Sequence, residues 1–185
     1  VKYFQSSNPK NLIEFLDGKE KEIVQQKKKI EKIIPEIELK RKFAKDKQEA
    51  IVYEGLEGVK VAFNNILNLL KKNEEYFVFT LGDELERDEL KRFFKNYHRK
   101  RIEKKINVRL IVNKKIKKMF SKYYIYKGGK VKYTELNLPT GIFIYGDNVM
   151  TVVYGEKLSA FVITSKNNAE RYKEFFEEMW KIAKK

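Results

Sequence analysis

Leu16, Ile23, Ile30 and Ile37 recur every seven residues in a stretch otherwise rich in Lys and Glu, with Ile33 and Ile34 beside two of them. So narrow an apolar stripe suits a helix that pairs with a second helix in a coiled coil. One amphipathic helix lying on its own domain is the competing reading, but the stripe is too thin to cap a large core. The helical composition runs to about Gln48, and Pro35 is predicted to kink the helix or split it in two. Ahead of it, Val1 to Gln5 reads as a short strand and Ser6-Ser7-Asn8-Pro9 as a helix start.

From Ala50 the pattern alternates between strands and helices. Ile51-Val52-Tyr53 reads as a strand, and Leu56 to Lys72 as an amphipathic helix with Val59, Phe63, Ile66, Leu67 and Leu70 on one side. Tyr76 to Leu81 is a buried strand ended by Gly82. Asp83 caps a helix to about Lys105, with Leu90, Phe94, Tyr97 and Arg101 at helical spacing. Val108 to Val112 is the next strand, and Ile116 to Phe120 a short Lys-rich helix. Gly128-Gly129 is a two-residue hairpin signal between Tyr123–Lys127 and Lys130–Thr134; Gly146-Asp147-Asn148 is a second, between Ile142–Tyr145 and Val149–Tyr154. Ser159 to Thr164 is a further strand. Ser165 opens a last helix, with Tyr172, Phe175, Phe176, Met179 and Trp180 facing inward. The pattern predicts an α/β fold, a mixed sheet flanked by helices, preceded by a long helical arm. The expected division is 1–48 for the arm and 49–185 for the α/β domain.

Composition narrows the chemistry. The 185 residues hold 13 Phe and 11 Tyr, too many aromatics for a disordered chain. No apolar run approaches the ~18–20 residues of a membrane span, so no membrane partner is expected. The chain has no Cys and one His, His98, which excludes disulfides, Cys-type zinc sites and two-histidine mechanisms within one chain. The lack of Cys fits a reducing cytoplasm. No signal-peptide pattern opens the chain, and Val1 in place of Met is expected of a piece of a longer protein. The net charge of +15 is confined: residues 91–132 hold 17 bases and one acid, Glu103, while the remaining 24 bases and 25 acids nearly cancel. Lys91, Arg92, Lys95, Arg99, Lys114, Lys115, Lys117 and Lys118 are candidates for tracking a phosphate backbone, with Tyr123, Tyr124, Tyr126 and Tyr133 as stacking partners for bases. The other reading is a solvated face whose tyrosines pack into the sheet. Weak, salt-sensitive attraction to polyanions is expected in either case.

Motifs for catalysis are missing. No Gly-rich loop has the spacing or the following Lys-Ser/Thr that cradles phosphates, and there is no Gly-x-Ser-x-Gly elbow. His98, between Tyr97 and Arg99, is expected at a surface helix position. Two readings stand for Asp147: an acceptor for a ligand at the sheet end, or turn chemistry in Gly-Asp-Asn. Glu54 divides in the same way, between accepting from a ligand hydroxyl and capping the following helix. Thr80 and Asp83 follow the buried strand, and Thr140 and Asp147 bracket a hairpin strand. These five are the candidate ligand residues; Tyr53 and Tyr145 are stacking or core positions. No cofactor and no metal site is expected.

Tyr53-Glu54-Gly55-Leu56-Glu57-Gly58-Val59, Val108-Arg109-Leu110-Ile111-Val112 and Phe175-Phe176-Glu177-Glu178-Met179-Trp180-Lys181-Ile182-Ala183 resemble the start, second core strand and closing helix of the effector domain in TrmB-like archaeal transcription regulators. Tyr3-Phe4-Gln5-Ser6-Ser7-Asn8-Pro9 resembles the last wing strand of a winged helix entering a dimerisation helix. The resemblance implies a phospholipase D-like half fold and a homodimer through Leu16, Ile23, Ile30 and Ile37. It further implies DNA binding by a winged helix outside these residues, and a small-molecule effector, often a sugar. Active phospholipase D-like proteins carry His-x-Lys-x4-Asp; aligning Asp147 with that Asp puts Thr140 at the His and Ile142 at the Lys. Nucleophile and lysine are missing, so no catalytic residue is expected.

Overall fold

The computed structural model describes residues 10–43, 48–82, 87–123 and 129–185, with side chains described in 11–37, 48–82, 87–121 and 129–185. Two units separate, Val1–Lys45 and Asp46–Lys185. The expected strand at Val1 to Gln5 and the helix start at Ser6 to Pro9 lie outside the described residues.

In the first unit, helix α1 spans Lys10–Phe43. Pro35 lies inside it, so the helix is not split there. A proline removes one donor of the ladder, and the flanking i→i−4 bonds carry the helix on. Leu16, Ile23, Ile30 and Ile37 are all exposed on this helix.

The second unit is a seven-stranded mixed sheet. Its elements are β1 (Glu49–Glu54), α2 (Gly55–Leu69), β2 (Glu75–Thr80), α3 (Asp88–Glu103), β3 (Asn107–Asn113), α4 (Lys117–Tyr123), β4 (Gly129–Thr134), β5 (Gly141–Tyr145), β6 (Asn148–Tyr154), β7 (Leu158–Thr164) and α5 (Lys166–Ile182). The strand order is β1-β7-β6-β5-β2-β3-β4. β2, β3 and β4 are parallel, with α3 and α4 as their crossovers; β5, β6, β7 and β1 form an antiparallel half joined through β5 to β2.

Helical spacing explains the two layers. Val59, Ala62, Phe63, Ile66 and Leu67 make one buried stripe on α2, and Leu90, Phe94, Tyr97 and Arg101 another on α3. Both stripes pack on the side of the sheet that presents Val78, Leu110, Val112, Phe143, Met150, Val152 and Val162. α5, capped where the Ser165 side chain accepts from the Asn168 N–H, covers Phe77, Phe79, Ile111, Ile142 and Ile144 on the other side. Each large apolar side chain so buried contributes roughly 1.5–3 kcal/mol.

Three expectations are corrected. First, β4 pairs parallel with β3, and Tyr123 is helical; the rest of the other expected arm, 124–127, and Gly128 of the expected turn lie outside the described residues. Gly-Gly is a local turn signal, whereas β4 finds its partner through the α4 crossover. The second turn signal, Gly146-Asp147-Asn148, behaves as its sequence indicates: β5 and β6 form an antiparallel hairpin, and Gly146 opens the turn at φ +52°. Second, Phe175 is exposed although Phe176 and Met179 on the same helix are buried. Third, the helix expected to start at Asp83 is described from Asp88; Asp83 itself lies outside the described residues.

Candidate functional site

In an open sheet with parallel strands, ligands bind outside the carboxyl ends of those strands. β2, β3 and β4 end there in a row of buried polar residues, Thr80, Asn113 and Thr134. Each turns its side chain onto the backbone two residues ahead. Thr80 Oγ1 accepts from the Gly82 N–H at 3.1 Å, Asn113 Oδ1 from Lys115 at 2.9 Å, and Thr134 Oγ1 from Leu136 at 3.2 Å. Asn113 Nδ2 also donates to the Leu136 carbonyl at 3.2 Å, tying two of the loops together. These are Asx- and Ser/Thr-type turns that end strands without leaving buried N–H groups unpaired. Asn113 and Thr134 were not singled out from sequence; their signal is a polar residue closing an apolar strand.

Thr140 stands at the same end, one residue before β5, and its hydroxyl donates to the Val152 carbonyl at 2.6 Å. Glu54 is there too, since it pairs in register with Ser159 at the start of β7. It occupies the N-cap position of α2 but makes no side-chain cap bond; its carboxylate meets Lys157 at 2.7 Å. Asp147 is elsewhere. β5 runs antiparallel to β2, so the turn after it reaches the opposite end of the sheet. There Asp147 is exposed, and its backbone carbonyl accepts from Ser165 at 2.8 Å. Five strand residues span roughly 17 Å, so Asp147 shares no site with Thr80 and Thr140.

Two hollows adjoin candidate residues along the chain, at Leu56 and Glu57 after Glu54 and at Gly146 before Asp147, without including them. One, of about 640 Å³, runs between α2 and α3 and is lined by Leu56, Val61, Arg92, Phe93, Asn96 and Lys100 among others. The other, of about 410 Å³, is at the Asp147 end and includes Phe77, Arg109, Tyr145, Lys173 and Glu177. Neither is lined by Glu54, Thr80, Thr140 or Asp147. In the second, Arg109 donates to both carboxylate oxygens of Glu177, at 2.8 and 2.5 Å, and through Nε to Glu75 at 2.8 Å, over the ring of Phe77. The hydrogen bonds from Arg109 hold the Glu177 carboxyl below its ordinary range. This cluster fastens α5 to β2 and β3.

The basic segment does not form one free surface. Arg101 is fully buried, and Arg109 belongs to the cluster just described. Lys104 donates to the Leu67 carbonyl, and Lys132 to that of Trp180. Among the eight cations expected to face phosphate, Lys91 pairs with Asp88, Arg99 with Glu103 and Lys114 with Glu135. Lys117 lies over the Tyr133 ring, 4.5 Å from its centroid, so that ring is covered. Arg92, Lys95, Lys115 and Lys118 are exposed on α3 and around the start of α4, on one side of the sheet. Tyr124 and Tyr126 lie outside the described residues.

His98 is not a plain surface residue. It is half-buried on α3, its ring 6.0 Å from that of Phe94. Burial, with the nearby Arg101 charge, pushes its pKa down to about 3. The unfolded chain would take up this proton near pH 6.5, while the folded chain does not, so stability falls as pH drops below 6.5. Between pH 7 and 5 the loss is at most about 2 kcal/mol at 1.36 kcal/mol per unit. His98→Gln is expected to flatten Tm against pH over that interval. An unchanged slope would show that the imidazole titrates alike in both states.

No family model matches the chain, and no curated protein does. Among solved structures, TrmBL2, described as an archaeal chromatin protein that shows a novel mode of DNA binding, superposes with a TM-score of 0.52 at 14% identity, covering 95% of this chain and 69% of that one. NucT from Helicobacter pylori superposes with a TM-score of 0.52 at 11% identity, covering 74% of this chain and 98% of that one. At such identities the likeness is one of fold.

Proposed function

We propose that these residues are the dimerisation and effector-type part of a TrmB-like DNA-associated regulator, and that they are not an enzyme. One observation carries this reading: the likeness to TrmBL2 extends over 95% of the chain, more than the α/β unit alone holds. The exposed heptad of α1 is the surface through which two chains pair. Sequence-specific DNA contact belongs to a winged helix outside these residues. A small ligand at the sheet end of Glu54, Thr80 and Thr140 favours one arrangement of two effector domains, and the paired arms pass it on. The non-catalytic part of the reading is supported by what stands at the His and Lys positions of the phospholipase D motif. Thr140 commits its hydroxyl to a backbone carbonyl, and Ile142 is packed in the core beneath α5.

Arg92, Lys95, Lys115 and Lys118 then act as an auxiliary phosphate-facing surface. With about four phosphates neutralised, affinity for duplex DNA is expected to fall roughly a hundredfold between 50 and 200 mM salt. Fluorescence anisotropy of the 185-residue chain on two unrelated duplexes measures this. Changing all four cations to Gln should abolish most of the binding. Tight binding to one sequence that survives 200 mM salt would instead mean that the basic segment reads DNA itself. Metal-independent cleavage of a chromogenic phosphodiester, lost in Asp147→Ala, would overturn the non-catalytic reading.

A further inference from the structure

The α5 side of the sheet is covered only in part. Side chains alternate along each strand, and the register places Val52 beside Phe161 and Phe161 beside Thr151. The next row is Ala50, Ile163 and Val149, and Val153 continues the face toward the strand ends. α5 buries Val149, but Val52 remains 54% exposed, Val153 45%, Ile163 44% and Phe161 41%. Four large apolar side chains thus stand together on three adjacent strands, with Ala50 and Thr151 between them. The two rows hold no charged residue, although 36% of the chain is charged. Contiguous apolar surface of this kind marks an interaction site.

We infer that this face of β1, β7 and β6 is where a second copy of the chain packs, sheet against sheet. The charge pattern selects the occupant. A nucleic acid or an acidic protein would be drawn to the cations of α3 and α4, on the opposite side of the sheet, and finds nothing to pair with here. A second copy carries the same basic segment and is repelled from the α3 and α4 side, which leaves it to pack where charge is absent. Here the two rows are neutral, and where Glu54 ends the face it is paired with Lys157. A copy laid down there meets an apolar centre with a charge-balanced pair at its rim, as interfaces are built. Pairing through the open edge of β1 is disfavoured. In the centred antiparallel register Glu49 of one copy would face Glu54 of the other, and like charges directly opposite are destabilising. Face packing leaves those glutamates at the rim.

This contact is separate from the coiled coil, and the test keeps the two apart. Sedimentation velocity is run on the parent chain, Ile23→Asp (arm), Phe161→Asp (face) and the double variant. Circular dichroism checks folding of each; the exposure of both positions makes folding the expected result. With both contacts present, Ile23→Asp still shows dimer at high micromolar concentration, and adding Phe161→Asp raises the dissociation constant at least tenfold. Loss of dimer in Phe161→Asp alone supports the face and counts against the arm. If Ile23→Asp is monomeric at every concentration, the face is not a dimer contact while the arm reading stands. If Phe161→Asp alters proteolysis of α1 but not the mass, the chain's own arm covers the face and the inference fails. Because the chain has no Cys, Phe161→Cys and Ile163→Cys give a second readout. At least one should form a disulfide-linked dimer under mild oxidation several-fold faster than a Lys72→Cys control; equal rates would also overturn the inference.

Discussion

Replacing Phe63 by alanine is expected to destabilise the α/β unit by about 3–5 kcal/mol, the range for removing a buried aromatic side chain. The reason is position. Phe63 is fully buried, and its ring meets Phe94 at 4.8 Å, Phe143 at 4.9 Å, Tyr97 at 5.7 Å and Phe93 at 6.0 Å, the first two nearly perpendicular. One ring on α2 therefore touches α3 and the sheet at once, and the cavity left by its removal cannot be closed by either neighbour alone. Edge-to-face pairs add about 0.5–1.5 kcal/mol beyond the area they bury. Phe175→Ala is the control. That ring is exposed and has one aromatic contact described, with Phe79 at 5.6 Å, so its loss should cost less than about 1.5 kcal/mol. Urea unfolding followed by circular dichroism measures both. A Phe63→Ala penalty below about 1.5 kcal/mol would mean that the α2–α3 interface is looser than the ring geometry implies.

Phe63 also shows what the sequence makes legible. Its spacing with Val59, Ile66 and Leu67 predicts a buried helical stripe, because a helix face repeats every three to four residues whatever it packs against. The same rule places Arg101 in line with Leu90, Phe94 and Tyr97. The antiparallel hairpin at Gly146 is equally local. Pairing between distant segments is not. Nothing near Gly129 says that β4 lies parallel to β3, since that depends on a crossover and on which edge is open. The separation of Asp147 from Thr140 is lost for a related reason: seven residues look close in sequence, yet a strand carries the chain across the whole sheet.

The candidate site suffers most from this. Thr80, Thr140 and Glu54 reach one end because the strands of Thr80 and Glu54 stop there and that after Thr140 starts there, which their places beside apolar runs indicate. That Thr80 and Thr140 already spend their hydroxyls on backbone groups is a property of the folded loops. A ligand at that end would meet the Glu54–Lys157 pair and loop backbone more readily than those two hydroxyls. The basic segment is redistributed similarly. A count along the chain cannot tell Lys95, which faces solvent, from Arg109, which anchors a helix, or Arg101, which is inside.

Arg101 tests that distinction, and its truncation is the second large effect expected. Its side chain is fully buried; Nη1 donates to the Ile106 carbonyl at 2.7 Å, while the Ile106 N–H returns to the Arg101 carbonyl at 3.1 Å. This exchange closes the turn from α3 into β3. Arg101→Ala removes most of a large buried side chain and leaves a buried acceptor unpaired, together about 3–5 kcal/mol. Arg101→Met keeps the volume and removes a desolvated charge along with the hydrogen bond, so it should cost under about 2 kcal/mol. A Met variant as unstable as the Ala variant would show that the hydrogen bond and charge outweigh packing. Two further readouts follow from where the charge sits. Arg101 lowers the pKa of His98, so in Arg101→Met the imidazole midpoint followed by NMR should rise from about 3. The salt slope of DNA binding should stay as in the parent, because a buried guanidinium releases no counterion, whereas Lys95→Gln should reduce the slope by roughly one. A slope that drops equally in both variants would place Arg101 at the surface and undo the separation between the cations that build this fold and those that face a polyanion.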